Sequence, residues 1–439
     1  MNRPAWIEAD RLHVWHPYTQ MLSAPPPIPV VGAEGVYLNT ADGRRILDGI
    51  SSWWVNIHGH NNPRLNRALA EQATRLSQVI FAGFAHEPAA RLAAQLVTRA
   101  PGRLPRVFFS DDGSTAVEVA LKMAYQYWRN RGQAQRSLFV ALEHAYHGDT
   151  FGAMAVGGAG VFHDSFRDLL FEVRRAHSAC CGLSPETKVK AGCSVDGGES
   201  LDALLGREGD RVAAVILEPM LQGAGGMMVW PSSFLRHVRE ITAKHGIPLI
   251  ADEVLTGFGR TGRLFACEHG PVEPDILCVS KALTGGYLPL SATLATEAIY
   301  ESFLSEDRAR TFFHGHSYTA NALACAVALE SLALIDDEHS VERVQRLERL
   351  FHERLDQVAR LPGVLATRGI GGVAVMELDP AGGGGYLDRL GAKLYGEFLA
   401  RGILLRPLGN VLYFMPPYAI EDDEAHHVFD VIEQVLGKR

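Results

Sequence analysis

Apolar residues along the chain fall into short unbroken runs separated by longer stretches with helical spacing. Runs at 106–109, 137–141, 212–217, 247–251 and 276–280 are bounded by turn residues, as buried strands are. Between them, apolar positions recur every three or four residues, most clearly after 113 and over 232–245, which predicts amphipathic helices. Strand, helix and strand with short joins form the βαβ signature, so the centre of the chain is predicted to be α/β with a mostly parallel sheet.

The flanks read differently. Residues 1–60 predict an irregular arm and a small β unit, because the proline-rich stretch 24–29 continues neither a helix nor a central strand. Strands at 36–39 and 45–48 flank Asp42-Gly43, a strong hairpin turn. Two helical patterns fill 66–99, broken by FAGFAHEP, and 158–206 carries no assignable element. A turn and strand follow residue 281, then a helix over 322–334. From 338 a long charged helix (338–361) changes the texture, followed by a strand (373–378), a Gly-rich loop (382–385), a helix (386–401) and strands at 403–405 and 411–415. The expected organisation is an arm and β unit at 1–60 packing with a small α+β domain at 336–439, and a large α/β domain at 61–335.

Composition narrows the class. With 439 residues, 47% hydrophobic and 21% charged, the chain has the make-up of a globular protein with more than one domain. A net charge of −8 argues against a nucleic-acid partner. No apolar run reaches the roughly 20 residues a membrane helix requires, and the start MNRPAWIEADRLHVW lacks the apolar core of a signal peptide. Six cysteines in this length fit a reduced, cytoplasmic setting. Cys180, Cys181 and Cys193 cluster near His177, but the spacing matches no closed zinc pattern, so no metal is expected.

The candidate chemistry lies at strand ends. In a parallel sheet, ligands sit in the crevice beyond the carboxyl ends of the strands. The run at 247–251 closes on Asp252 and the run at 276–280 on Lys281, which sets an acid and an amine at one crevice. A lysine that bonds the cofactor and an aspartate for its pyridinium nitrogen are what pyridoxal phosphate requires. The intervening Gly257, Gly259 and Gly262 match a dinucleotide fingerprint, but that motif must follow a strand directly and open a helix. Here Asp252 and Glu253 occupy the strand end, and a pyrophosphate would be repelled. Gly113 and Ser114 open a long helix after a strand, which suits either a phosphate site or plain N-capping by Ser114. Past the strand at 137–141, Tyr146 could stack on a planar ring and Asp149 orient a neighbour, or the stretch is a plain loop. Trp53 and Trp54 read either as buried anchors or as substrate-facing.

ADEVLTGFGRTG, PDILCVSKALTGG and HGHSYTANALACAVA together resemble the class III aminotransferases, of the pyridoxal phosphate-dependent fold type I, over nearly the whole chain. That resemblance implies a large domain with a mostly parallel sheet plus a smaller α+β domain. It implies Lys281 as the residue that carries the cofactor and moves the proton, Asp252 at the ring nitrogen and Tyr146 against the ring. Gly113 and Ser114 would bind the phosphate, completed in a homodimer by His316 and Ser317 of a second copy. Threonine is usual at the latter position, and Ser317 keeps its hydroxyl. Tyr18, Trp53 and Gly315 match substrate contacts, and Arg406 matches the arginine that pairs with a substrate carboxylate; Arg260 and Asp149 match positions nearby. HPYTQM, DGRRILDGISSWWVNIHGH and LRPLGNVLYFMPPY resemble the branch that transfers the amino group of S-adenosyl-L-methionine to 8-amino-7-oxononanoate, giving 7,8-diaminononanoate for biotin synthesis. Ornithine, 4-aminobutyrate or a general ω-amine remain the alternative substrates, and lysine an alternative donor.

Overall fold

The computed structural model describes residues 4–158, 160–177, 199–380 and 385–438. Cys180, Cys181, Cys193 and residues 382–384 of the predicted Gly-rich loop lie outside the described residues. The central sheet has seven strands, in the spatial order Arg106–Ser110, Ser291–Ala295, Ile276–Val279, Leu249–Asp252, Val212–Leu217, Leu138–Leu142 and Val173–Ala176. All run parallel except Ser291–Ala295, which is antiparallel to both neighbours.

Alternate residues of these strands enter opposite layers of core, because successive side chains of a strand point to opposite faces. Phe139, Ala141 and Ile216 pack on one face with the helix Gly113–Asn130, whereas Leu138, Val140 and Leu217 pack on the other. That helix buries Ala116, Val117, Ala120, Ala124 and Trp128, and the Trp128 indole N–H donates to the Ala213 carbonyl at 2.8 Å. Both sheet faces are covered, which is why its strands read as unbroken apolar runs.

Two features of the flanks were not predicted as such. The arm contains a helix, Trp6–His13, and a further strand, Val30–Glu34. In the stretch 158–206 lies the edge strand Val173–Ala176, and the helix Leu201–Glu208 begins there. The strand carries Arg174, paired with Glu208, and Arg175, which donates to the Ala155 carbonyl, so no apolar run marks it. Towards the C-terminus, Val364–Ile370 joins Val373–Leu378 and Val411–Phe414 in an antiparallel sheet, against which Ser340–Val358 and Asp422–Leu436 pack through Phe351, Phe414 and Phe429. No helix among the described residues is long and apolar enough to cross a membrane.

The hairpin Tyr37–Thr40 and Arg45–Asp48 forms about Gly43, and Arg45–Asp48 pairs in parallel with Ile403–Leu404 from the far end of the chain. Directly after it, Ser51, Ser52, Trp53 and Trp54 have φ of 51°, 46°, 70° and 75°, a turn of left-handed helix. L-residues disfavour this conformation by roughly 1–2 kcal/mol each, so something must hold it. The buried carboxylate of Asp48 does so: it accepts from the Ser52 N–H (3.0 Å), the Ser52 hydroxyl (2.7 Å) and the Ile50 N–H (3.3 Å), and meets His60 Nε2 at 2.9 Å. Burial alone would raise the Asp48 pKa, but the hydrogen bonds from His60 and Ser52 outweigh it and leave the carboxyl below its ordinary value. Asp48→Ala is expected to lower the unfolding free energy in urea at pH 7 by about 3 kcal/mol. Because the folded pKa is depressed, this contribution is complete above the unfolded value of about 3.9 and is lost as pH falls through the folded one. The gap between wild type and variant should therefore close in acid; a gap independent of pH would refute the assignment.

Candidate active site

The crevice follows from register. Leu249–Asp252 and Ile276–Val279 are adjacent and parallel, with Asp252 opposite Cys278, so Lys281 emerges three residues beyond the same level. Lys281 opens a short turn with φ of 42°, strained for a side-chain-bearing residue. Both side chains line a cavity of about 390 Å³, together with Asp112, Gly113, Ser114, Tyr146, His147, Glu218 and Trp54. This is within the range of cofactor and ligand sites, which are commonly about 300–1,000 Å³.

At one end stands the start of the helix Gly113–Asn130. Its N-cap is Asp112, whose carboxylate accepts from the Thr115 N–H at 2.9 Å while Thr115 Oγ1 accepts from the Asp112 N–H at 3.0 Å. Ser114 is therefore not the cap, which removes that alternative, and its hydroxyl is turned to accept from the Asp149 N–H at 3.2 Å. The first-turn N–H groups of Gly113 and Ser114 lie outside the intrahelical pattern, as an anion site requires. The backbone is tightly fitted here. A Cβ on Gly148 would meet Ser114 Oγ at 2.1 Å, and one on Gly113 would meet Val254 Cγ1 at 2.5 Å.

At the other end, Asp252 Oδ1 accepts from the Val254 N–H at 3.1 Å and Oδ2 meets His147 Nδ1 at 2.6 Å. His147 is buried, and its Nε2 has no partner. Lys281 opens towards the cavity but is otherwise surrounded by protein. Burial lowers its pKa, opposed by the charges of Asp252, Glu218 and Asp112. Glu218, which ends the neighbouring strand, is pushed well above the usual carboxylic range by burial and then by Asp252, and its Oε2 is unpartnered. Desolvation also raises the Tyr146 hydroxyl. Glu253, next to Asp252, points away from this chemistry: it accepts from the N–H groups of Ala266 and Cys267, both at 2.8 Å, and burial lifts it to about 7.

Tyr18 and Trp53 stand 5.4 Å apart between ring centroids, and the Arg406 guanidinium lies 5.0 Å above the Trp53 ring. Tyr18 donates to Asp149 and lies 3.1 Å from the Tyr146 hydroxyl, which ties the arm to the cavity. Gly315, His316 and Ser317 do not line the cavity. Arg260 does not line it either: its guanidinium is buried, donates to the Pro416 carbonyl at 2.9 Å and to Ser51 Oγ at 3.3 Å, and so clamps the left-handed turn. Sequence reasoning missed His147 as the partner of Asp252, and the strand-end rule that found Asp252 applies equally to Glu218.

The whole chain has relatives of matching length. Residues 18–436 match the model of the family Aminotransferase class-III. The chain is 49% identical, over 97% of its length and 99% of the relative's, to an adenosylmethionine-8-amino-7-oxononanoate aminotransferase of Synechococcus elongatus. It is 42% identical, over 97% and 96%, to one of Geobacter sulfurreducens. The solved structure of such an enzyme from Methanocaldococcus jannaschii superposes with a TM-score of 0.89 at 34% identity, covering 98% of both chains. An omega transaminase of Pseudomonas jessenii superposes equally well, with a TM-score of 0.90 at 26% identity and 99% of both chains. The chain belongs to the class III aminotransferases, transferases of fold type I that depend on pyridoxal 5'-phosphate.

The residues present suit that cofactor: a helix start with free N–H donors for the phosphate, an acid for a ring nitrogen and an amine facing the space between. Gly148→Ala is expected to weaken binding of pyridoxal phosphate at least tenfold, because the added methyl displaces the Ser114 hydroxyl. Titration of the apoprotein by fluorescence measures this, and unchanged affinity would show that the hydroxyl does not serve the phosphate.

Proposed function

We propose that this aminotransferase moves the amino group of S-adenosyl-L-methionine to 8-amino-7-oxononanoate, giving 7,8-diaminononanoate in biotin synthesis. The observation that carries the reading is the 49% identity, over almost the full length of both chains, to a relative of that name. The joining of Tyr18, Trp53 and Arg406 beside the cavity supports it, since this cluster is where a substrate longer than the cofactor ring would extend.

In this reading the bound pyridoxal phosphate supplies the electron sink that acidifies the carbon bearing the amine. Lys281 holds the cofactor and then carries the proton on Nζ. Asp252, oriented by His147 and by the Val254 N–H, keeps the proton on the ring nitrogen. Gly113 and Ser114 bind the phosphate, Tyr146 packs at the ring, and Tyr18 and Trp53 bound the substrate; Gly315, which does not line the cavity of its own copy, would reach substrate only from a second copy. Arg406 pairs with the carboxylate of the oxo acid, for which a guanidinium offers two parallel donors. Donor and acceptor use the site in turn, so the kinetics are ping-pong. The segments 61–335 and 336–439 act as large and small domains, with 1–60 serving the latter.

The second copy of a homodimer would supply His316 and Ser317. Its support is an apolar patch around that loop: Ile80, Phe84, Phe313 and Tyr318 are 62%, 61%, 73% and 65% exposed. Gln78 donates to the Ser317 carbonyl at 2.8 Å and Asn321 to the Ser77 carbonyl at 3.2 Å, which joins the two loops that carry these residues. Exposed apolar side chains gathered on two joined loops suit an interface. The enzyme would work in the cytoplasm, which its six cysteines in 439 residues support.

The decisive assay incubates the purified holoenzyme with adenosylmethionine and 8-amino-7-oxononanoate. Formation of 7,8-diaminononanoate with one keto product per turnover is expected; turnover of ornithine in its place would overturn the assignment. Arg406→Ala should raise the KM for the oxo acid roughly ten- to a hundredfold, the worth of charge-assisted hydrogen bonds, with the donor half-reaction little affected. A Phe84→Arg, Tyr318→Arg double variant is expected to sediment as a monomer and to bind the cofactor more weakly; a monomeric wild type would refute the shared site.

A further inference from the structure

Trp54 is fitted into its place by unusual means. It closes the left-handed turn at φ of 75°, is buried, and donates its indole N–H to the Tyr413 hydroxyl at 3.1 Å. The Tyr413 ring meets it edge-on, with centroids 6.1 Å apart. The indole also lines the cavity, and Lys281 Nζ lies 5.3 Å from its centroid. Lys281 itself is in left-handed backbone. Two strained residues thus face one another across the cavity wall, each held by its surroundings, and strain of this kind persists where geometry serves a purpose.

A packing role for Trp54 leaves the position of the amine unexplained. Asp252, Glu218 and Asp112 all attract Lys281, yet among the described residues it forms no ion pair with any of them. The other titratable groups around the cavity, Asp111, Tyr146, His147 and Tyr287, leave it unpaired as well. The ammonium instead sits within reach of the face of the ring that offers the strongest cation–π attraction.

We propose that the Trp54 indole is the resting place of the Lys281 ammonium between taking a proton from the substrate and giving it back. This rests on the reading of Lys281 as the proton carrier. When the donor amine takes Lys281's place at the cofactor, the freed amine must stay near the reacting carbon without being captured by a carboxylate. Captured beside Asp252, it would neutralise the acid needed at the ring nitrogen. The indole attracts the charged amine and has little hold on the neutral one, so it favours proton uptake while leaving the acids free. Trp54 is thus a positioning residue, acting through Lys281.

The test uses the holoenzyme in its pyridoxamine phosphate form, in which Lys281 is free, with ¹³C-labelled lysine. The Lys281 ε-methylene signal, assigned by its loss in Lys281→Arg, is followed by NMR as pH is varied. In the wild type it should lie upfield of ordinary lysine, displaced by the indole ring current. Trp54→Leu should remove that displacement and lower the proton affinity roughly three- to thirtyfold, with Trp54→Phe in between. Tyr413→Phe keeps the ring and should keep the displacement. A wild-type signal without ring-current displacement, or proton affinities equal across the Trp54 variants, would overturn the proposal; the former needs no variant to fold. A different substrate would leave these signals untouched. Loss of the proton-carrier reading would show separately, as turnover retained by Lys281→Arg.

Discussion

Parallel register is the constraint on which the rest of this molecule depends. With Asp252 opposite Cys278, the acid and the amine that follow the two strands must leave the sheet at one edge and at one level. Glu218 leaves the next strand at the same edge, and the helix from Gly113 brings its free N–H groups to it. The crevice gathers three acids around one amine, in a place where burial penalises every charge. Burial and then Asp252 push Glu218 well above the usual carboxylic range, and Asp252 itself meets His147. In the proposed reading, a protonated ring nitrogen at Asp252 and a phosphate at the start of the helix from Gly113 would offset these charges.

The left-handed turn does for the substrate side what register does for the cofactor side. In ordinary strand or helix, adjacent tryptophans would point to fixed and predictable faces. Wound the other way, the turn sends Trp54 under Lys281 and Trp53 out beside Tyr18 and Arg406. Asp48 and Arg260 hold it from either side, so two residues with no place in the cavity govern two that stand at it.

What could be read in the sequence follows from these differences. Strands covered on both faces leave unbroken apolar runs, and each run names the residue after it; Asp252 and Lys281 were legible for that reason. Edge strands such as Val173–Ala176 pair one face with solvent and arginines, and left no such run. Tyr18 and Arg406 are nearly four hundred positions apart, so resemblance alone could associate them. Ser114 illustrates a limit of local rules. A serine at a helix start invites a capping reading, and only the Asp112–Thr115 reciprocal pair shows that its hydroxyl is spare. The run of positive φ at 51–54 left no signal, since no glycine or asparagine stands there.

The pairing of Arg45–Asp48 with Ile403–Leu404 sets an order of events during synthesis. The strands that surround Lys281 all lie before residue 296 and are synthesised before the C-terminal third of the chain. The hairpin that carries Asp48, although made first, has its outer edge open until Ile403 leaves the ribosome. Tyr413, which holds the Trp54 indole, arrives later still. The residues of the cofactor crevice are therefore synthesised before the strand and the tyrosine that fix the wall facing the substrate.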